Sequence, residues 1–201
     1  MNQKKNLLLL GLVFAFLIGG ASVLYNRLGE SMAPDQLAVQ KKVMQNEPAD
    51  DQEKPVEETA EPERMMAPDF TVYDGDGNEV NLSDYYGKPI VLNFWASWCG
   101  PCQMEMPDFH EKHQQMGEDI TFLMVNMTDG ARETVQSASA FVTEREYAFP
   151  VFFDTGMDAV ETYGVYSLPT TYFIDAEGYA IAQAMGAIDG ETLQRGIDLI
   201  T

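Results

Sequence analysis

The sequence predicts an α/β fold, in which a central mixed β-sheet is flanked by helices and a β-hairpin opens the domain. Residues 90–96 (IVLNFWA) and 120–126 (ITFLMVN) are apolar runs of strand length, which is typical of central strands covered on both faces. Strand and helix patterns alternate along residues 66–201, and the pattern of a hairpin followed by a helix ends the chain. This order of elements favours a mixed sheet between layers of helices.

The first 26 residues predict a membrane anchor. Lys4 and Lys5 precede an uncharged, mostly apolar run over residues 6–26, and about 20 such residues cross a bilayer as a helix. The basic residues ahead of the run place residues 1–5 in the cytoplasm and the rest of the chain outside it. A cleaved signal peptide is the alternative, with Gly19 and Ala21 at a small-x-small cleavage site. We favour an uncleaved, single-pass signal-anchor.

Residues 27–65 are expected to form a disordered acidic linker. Residues 30–64 contain ten acids, four bases and four prolines, with no aromatic residue and no sustained apolar period. Such a segment buries too little apolar surface to offset the entropy lost on ordering. The whole chain has 12 basic and 32 acidic residues and a formal charge of -20. Nucleic acid is therefore excluded as an expected partner, because phosphate binding needs clustered Lys and Arg.

Residues 66–201 are expected to fold as short strands and helices separated by turns. The turn over residues 74–78 (DGDGN) joins the first two strands into the hairpin. Pro107 lies in the middle of the first helix and predicts a kink there. Strands are predicted over residues 70–73, 79–82, 90–96, 120–126, 151–153, 170–174 and 179–184, and helices over residues 101–116, 132–146, 158–163 and 192–200.

Both cysteines of the chain, Cys99 and Cys102, lie in the segment WCGPC. As a structural disulfide they would close a very small loop, so the entropic stabilisation would be small. Zinc needs four ligands, and the two histidines, His110 and His113, do not complete an ordinary zinc spacing on one helix. We expect both histidines on a solvated helix face. A redox-active pair explains the segment best.

The local sequence assigns different roles to the two cysteines. A strand that ends at Ala96, followed by a helix that starts near Cys99, places the first sulfur at a helix N-terminus, where the dipole and free N–H groups favour a thiolate. Pro101 suits the first turn, since its missing N–H costs nothing there. Cys102 follows one turn later. Cys99 is thus the predicted nucleophile, and Cys102 the thiol that resolves a mixed disulfide.

The segment WCGPC after an apolar strand resembles the thioredoxin superfamily. The wider run LNFWASWCGPCQMEMP resembles its membrane-anchored, extracytoplasmic ResA/TlpA-like branch, and APDF at residues 67–70 and YGVYSLPTTYFID at residues 163–175 extend the resemblance over about residues 66–201. It implies a thioredoxin-like fold and thiol-disulfide oxidoreductase activity. The redox-active disulfide is then the only redox group needed, with no other cofactor and no metal.

The resemblance also implies roles for single residues. Pro169 matches the cis-proline that faces the dithiol, so the Leu168–Pro169 bond is expected to be cis and its backbone to pair with an extended substrate segment. By its sequence context alone, Pro169 reads as an ordinary proline at a strand start. Trp98 matches the aromatic residue beside the nucleophile, Trp95 is expected in the core, and Pro107 matches the kink proline of the active-site helix. The predicted substrate-binding residues are Trp98, Gly100, Pro101, Leu168 and Pro169.

Two positions depart from cytosolic thioredoxin. Asn93 stands where thioredoxin has a buried acid that assists proton transfer to the resolving cysteine. Glu105 lies three residues after Cys102, so a helix places it one turn further on, and it resembles the acid typical of the ResA-like branch. We predict that Glu105 is a catalytic residue whose pKa is raised by partial burial and which relays the proton. The alternative is a solvated helix glutamate.

The dipeptide Gly-Pro between the cysteines matches thioredoxin, whose potential of about -270 mV favours a reductant. The resemblance implies oxidised haem-attachment cysteines of apocytochrome c as substrate, a thiol-relay membrane protein as electron donor, and a monomer. A general reductase of envelope proteins is the main alternative. A peroxidase would use a differently placed cysteine, and a copper metallochaperone would use a distant histidine, whereas this chain has none after His113.

Overall fold

A computed structural model describes residues 37–39 and 64–201, and the predicted anchor over residues 6–26 lies outside these residues. Within the described part of the chain, no helix is long and apolar enough to cross a membrane. The strands are β1 (Leu37–Val39), β2 (Met65–Met66), β3 (Thr71–Tyr73), β4 (Glu79–Asn81), β5 (Ile90–Trp95), β6 (Thr121–Asn126), β7 (Val151–Phe153), β8 (Thr170–Ile174) and β9 (Tyr179–Met185). The helices are a 3-10 helix (Leu82–Tyr85), α1 (Gly100–Met116), α2 (Val135–Glu144), α3 (Asp158–Thr162) and α4 (Gly190–Asp198).

The strands form one mixed sheet, as the sequence predicts. Its order is β1-β9-β8-β5-β6-β7-β3-β4, and β2 also pairs with β9. β5 pairs with β6 and β6 with β7 in parallel, whereas the other neighbours are antiparallel. All six residues of β5 are buried, because β5 lies in the middle of the sheet. The residues that follow β5 are therefore attached to a buried strand in the middle of the sheet.

Helices cover both faces of the sheet. Val91 and Trp95 of β5 pack in one core cluster with buried side chains of α1, α2 and α4. Leu92 and Phe94, which point to the other face, pack in a second cluster with side chains of the 3-10 helix and α3. Alternation of side chains along the strand explains this division. Trp95 is fully buried, which confirms its predicted place in the core.

The outer edge of β9 carries two short strands that the sequence did not predict. Leu37 and Val39 of β1 pair with Ala184 and Ala182, and β2 continues along the same edge, beside residues 179 and 180. The prediction of a disordered linker over residues 27–65 is therefore wrong at residues 37–39, and also at Met65, which belongs to β2. Backbone pairing to an open sheet edge overrides the weak apolar pattern of this segment.

Side-chain caps shift two helix boundaries from their predicted positions. α2 begins at Val135 and not at residue 132, because Asp129 Oδ1 accepts the N–H groups of residues 131, 132 and 133 and holds them in a loop. Thr134 then caps the helix. α4 begins at Gly190 and not at residue 192, because Asp189 is its N-cap and accepts the N–H of Thr192. Local side-chain to backbone bonds, more than periodicity, set these ends.

The histidines of α1 are half-buried, and the predicted solvated face is wrong for both. His110 Nδ1 accepts the N–H of Ala148 at 3.1 Å. His113 packs edge-on against Phe122, with ring centroids 5.5 Å apart, and burial lowers its pKa. Contacts with the loop before β7 thus account for the ring of His110, and packing against β6 accounts for the ring of His113. Pro107 lies inside α1, and the predicted kink in the helix axis stays a prediction.

Candidate active site

The two cysteines lie at the start of α1, just after the turn that follows β5. Cys99 is the N-cap residue of α1, and Gly100 and Pro101 are its first two helical residues. Proline is well placed there, since an N–H in the first turn has no partner within the helix. The N–H of Cys102 donates to Cys99 Sγ at 3.2 Å. The helix dipole and this N–H both favour negative charge on the Cys99 sulfur.

Cys99 and Cys102 form a disulfide, as the predicted redox pair requires. Cys102 is fully buried and Cys99 is 4% exposed. Cys99 also lines an open groove, whereas Cys102 does not. A disulfide or thiol of a second protein therefore meets Cys99 first. This difference in access favours the predicted roles of Cys99 as nucleophile and Cys102 as resolving thiol.

The groove beside Cys99 has a volume of about 350 Å³. Four of the five predicted substrate-binding residues line it, and Pro169 is buried next to Leu168 in the chain. None of the lining residues is acidic, and Tyr166 on its rim is 84% exposed. The residues that line the groove are Trp98, Cys99, Gly100, Pro101, Met127, Arg132, Val165, Tyr166, Ser167 and Leu168.

The Leu168–Pro169 bond is cis, which confirms the expectation drawn from the resemblance. The C=O of Pro169 accepts the N–H of Gly186 at 2.9 Å, which fixes this loop to the end of β9. Within the described residues, no hydrogen bond uses the backbone N–H or C=O of Leu168. The backbone beside the groove can therefore pair with an extended peptide, as strand addition to an open edge requires.

Glu105 lies one helical turn after Cys102 and is only 2% exposed. Its Oε1 accepts the Nδ2–H of Asn93 at 2.9 Å and its Oε2 accepts the N–H of Ile188 at 3.1 Å. Asn93 Nδ2 also donates to Thr171 Oγ1 at 3.0 Å. Burial raises the pKa of Glu105 to about 8, although the two hydrogen bonds to it act in the opposite direction. Glu105 is therefore a buried carboxyl that titrates near neutral pH, and the alternative of a solvated helix glutamate is wrong.

A second buried carboxylate holds the segment before Cys99, and the sequence reasoning missed it. Glu133 is fully buried. Its Oε2 accepts the N–H and the Oγ–H of Ser97 at 3.0 and 2.8 Å, and its Oε1 accepts the Oγ–H of Ser137 at 3.1 Å. The C=O of Ser97 accepts from Gln103 Nε2 at 2.6 Å. Every polar group of Ser97 is thus fixed, two residues before the nucleophile.

Replacement of Glu133 by alanine is expected to lower the free energy of unfolding of the oxidised protein by about 2 kcal/mol. The change leaves the N–H of Ser97 without its acceptor, and a hydrogen bond to a charged group contributes roughly 1.5 to 3 kcal/mol. Chemical denaturation followed by tryptophan fluorescence measures the effect. Glu144→Ala, which removes an exposed glutamate of α2, is the matched control. A loss in Glu133→Ala no greater than in this control contradicts the inference.

Comparison with known proteins agrees with this geometry. Residues 64–182 match the model of the AhpC/TSA family. The chain is 38% identical to the thiol-disulfide oxidoreductase ResA of Bacillus thuringiensis subsp. konkukian over 138 residues, which cover 67% of this chain and 76% of that protein. The chain belongs to the ResA family of thiol-disulfide oxidoreductases. It is therefore an oxidoreductase, with the Cys99–Cys102 disulfide at its centre.

Other known proteins are also similar to this chain, one in sequence and two in solved structure. The thioredoxin-like protein YneN of Bacillus subtilis is 33% identical, with 68% of this chain and 79% of that protein covered. The exposed lipoprotein thioredoxin of Streptococcus pneumoniae is 35% identical, with a TM-score of 0.57 over 66% of this chain and all of that one. A DsbF homologue of Corynebacterium diphtheriae is 27% identical, with a TM-score of 0.60 over 68% of this chain and 87% of that one. The thioredoxin-like fold expected for residues 66–201 is thus confirmed.

Proposed function

We propose that the protein is a reductase of disulfides outside the cytoplasm, held at the cell membrane by residues 6–26 as a single-pass anchor. The observation that carries this proposal is the Cys99–Cys102 pair at a helix N-terminus, with only Cys99 on the groove. The Gly-Pro dipeptide between the cysteines supports a reducing direction, since it matches thioredoxin with its potential of about -270 mV. The pair needs no further cofactor.

The proposed cycle moves two electrons from the dithiol to the substrate. The Cys99 thiolate attacks one sulfur of a substrate disulfide, so a mixed disulfide forms and the other substrate sulfur leaves as a thiolate. The Cys102 thiol then loses its proton and attacks Cys99 Sγ. This step releases the second substrate thiolate and forms the Cys99–Cys102 disulfide, which is the state of the structure. The released thiolates take up two protons.

In this cycle we assign Glu105 as the group that accepts the proton of Cys102. Its pKa of about 8 lies close to that of a thiol, which makes transfer in either direction inexpensive. Asn93 and Ile188 hold both carboxyl oxygens in place. A thiol-relay protein of the membrane would return the pair to the dithiol state, because glutathione and thioredoxin, which keep thiols reduced, act in the cytosol.

We further propose that the substrate is apocytochrome c with oxidised haem-attachment cysteines, as the resemblance of the WCGPC segment to the ResA/TlpA-like branch implies. Reduction of the CxxCH motif would free the two thiols for haem attachment. The open groove and the unpaired backbone of Leu168 suit an extended segment of this kind. A monomer suffices for this chemistry, since both cysteines and Glu105 come from one chain.

A reduction potential tests the direction of the reaction. Equilibration of the full chain against glutathione and dithiothreitol buffers is expected to give a value near or below about -250 mV for the Cys99–Cys102 pair. A value above about -150 mV would make the protein an oxidase of exported thiols. Peak-area analysis of alkylated tryptic peptides reports the reduced fraction of the pair. Since the chain has no other cysteine, the whole alkylation signal comes from Cys99 and Cys102.

A general reductase of exported proteins is the second candidate. It is favoured by the likeness to an exposed lipoprotein thioredoxin over the whole length of that chain. Paired oxidised peptides separate the two candidates, one ending in CxxCH and one in CxxCA. Faster reduction of the histidine peptide supports the cytochrome substrate, and equal rates support the general reductase. A peroxidase is disfavoured, since both cysteines of the chain are bound in the WCGPC disulfide.

A further inference from the structure

One cation lies on the rim of the groove beside the nucleophile. The guanidinium of Arg132 lies over the ring of Trp98, with its central carbon 3.5 Å from the ring centroid. Both residues line the groove, and Trp98 precedes Cys99 in the chain. Arg132 is exposed to solvent. A guanidinium over an aromatic face keeps its N–H groups free in its own plane, where they can donate to a carboxylate.

The loop that carries Arg132 is held firmly. On one side of it, Asp129 Oδ1 accepts three backbone N–H groups of the loop. On the other side, Glu133 is buried and bonded to Ser97. The N–H of Gly130 also donates to the C=O of Glu133 at 2.9 Å. The backbone of Arg132 is therefore fixed, and its long side chain loses less entropy on binding than a free arginine would.

No ion pair within the described part of the chain neutralises the charge of Arg132. Among the described residues, no carboxylate lies within salt-bridge distance of its guanidinium. The pKa of Asp129 is lowered mainly by the hydrogen bonds that its carboxylate accepts from the backbone N–H groups of Glu133 and Ala131. The charge of Arg132 is a smaller cause of the same shift. Arg132 is the only charged residue among the described residues that line the groove. In a chain of formal charge -20, the face beside Cys99 thus offers a local positive charge.

We propose that Arg132 is a specificity-determining residue, which selects disulfide substrates that carry an acidic side chain next to the cysteine attacked by Cys99. A substrate segment paired with Leu168 would lie in the same groove as Arg132, because both residues line it. Side chains that flank the attacked cysteine would therefore pass the guanidinium. Arg132 takes no part in the bond changes. The inference rests on the proposed function only in that the substrate is a peptide disulfide.

Three oxidised two-cysteine peptides test the proposal, identical except that Glu, Gln or Lys flanks the cysteines on both outer sides. The reduced full chain is mixed with each peptide at low ionic strength, and the exchange rate is followed by tryptophan fluorescence. The Glu peptide is expected to react roughly fivefold faster than the Lys peptide, as expected for one exposed ion pair. The ratio is expected to fall as salt is added, because the pair is solvent-exposed.

Two variants at Arg132 and one elsewhere complete the test. R132Q is expected to bring the ratio of Glu to Lys rates close to one, and R132E to invert it. Arg145 is the matched control, since it stacks on Phe141 at 3.9 Å and does not line the groove. R145Q removes the same net charge and the same kind of stack, and is expected to keep the ratio of the unsubstituted protein.

Two results would overturn the proposal. In the first, the ratio of the Glu to Lys peptide rates is the same for the unsubstituted protein and for R132Q, which means that the charge of Arg132 does not interact with the substrate. The other is an equal loss of rate by R132Q on all three peptides, which means that Arg132 only supports Trp98. Neither depends on the reduction potential or on a preference for CxxCH, so failure of this inference and failure of the proposed function are distinguishable.

Discussion

Replacement of Cys99 by serine is expected to lower the rate of disulfide exchange at least about a thousandfold, as removal of a catalytic nucleophile does. Cys99 is the sulfur that borders the groove, and a serine hydroxyl does not ionise near neutral pH. Cys102 cannot replace it, because Cys102 is fully buried. Single-turnover mixing of the reduced protein with an oxidised two-cysteine peptide measures the rate, and mass spectrometry shows whether any adduct forms.

Cys102→Ser is the partner experiment, and its expected result is different. The first step still proceeds, so a mixed disulfide between Cys99 and the peptide accumulates and appears as one added peptide mass. The bridge closes a loop of very few residues, so its loss is expected to change stability only slightly through loop entropy. Adduct formation by Cys99→Ser but not by Cys102→Ser would reverse the two roles.

The second large effect concerns Glu105 and the pH dependence of stability. Burial raises the pKa of Glu105 from 4.5 to about 8 in the folded protein, so the folded state holds this proton more tightly than the unfolded state. The resulting stabilisation is full below the unfolded pKa and is lost as the pH rises through the folded pKa. Relative to Glu105→Gln, the free energy of unfolding is expected to fall by about 4 kcal/mol between pH 4.5 and pH 8.

The oxidised protein is the form to use, because disulfide-bonded cysteines do not titrate. Denaturant unfolding at each pH gives the free energy, and the difference between the protein and Glu105→Gln removes the contribution of the two histidines. Glu111→Gln, an exposed glutamate on the same helix, is the control and is expected to show no such trend. Parallel stability curves for the protein and Glu105→Gln would mean that the carboxyl is not buried in its acid form.

The same variant tests the proposed proton transfer. In Glu105→Gln the amide can neither take up nor release the proton of Cys102, so the resolution step is expected to slow by roughly a hundredfold, the lower range for a general base. Formation of the mixed disulfide at Cys99 is expected to change much less. Stopped-flow rates as a function of pH separate the two steps. Unchanged thiol pKa values together with an unchanged resolution rate would remove Glu105 from the mechanism.

Much of the active site can be predicted from the short segment of sequence around the two cysteines. WCGPC after the buried run of β5 places Cys99 at the N-terminus of a helix, because strand, cap and proline preferences are local properties. Glu105 follows Cys102 by one helical turn for the same reason. The cis bond before Pro169 is confirmed, but it came from a family resemblance, since the residues around Pro169 describe only an ordinary strand start.

Long-range contacts explain what the sequence reasoning missed. Glu133 and Arg132 read as part of a helix in the sequence, yet Asp129 and Thr134 set the helix start after them. Both side chains then meet partners more than thirty positions earlier, Ser97 and Trp98. The pairing of β1 with β9 likewise joins residues 37–39 to residues 182–184. No periodicity in one segment reports a partner that lies so far along the chain.

The sequence by itself thus determined the fold class, the redox pair and the position of the buried strands, because local propensity and burial patterns depend on residues that are close together in the chain. Only the tertiary structure decided the environment of each functional group. Folding removes Glu105 and Glu133 from water and brings Asn93, Ile188 and Ser97 to their oxygens. It also stacks Arg132 on Trp98. Desolvation and charge depend on distances in space, so they are fixed only when distant segments pack together.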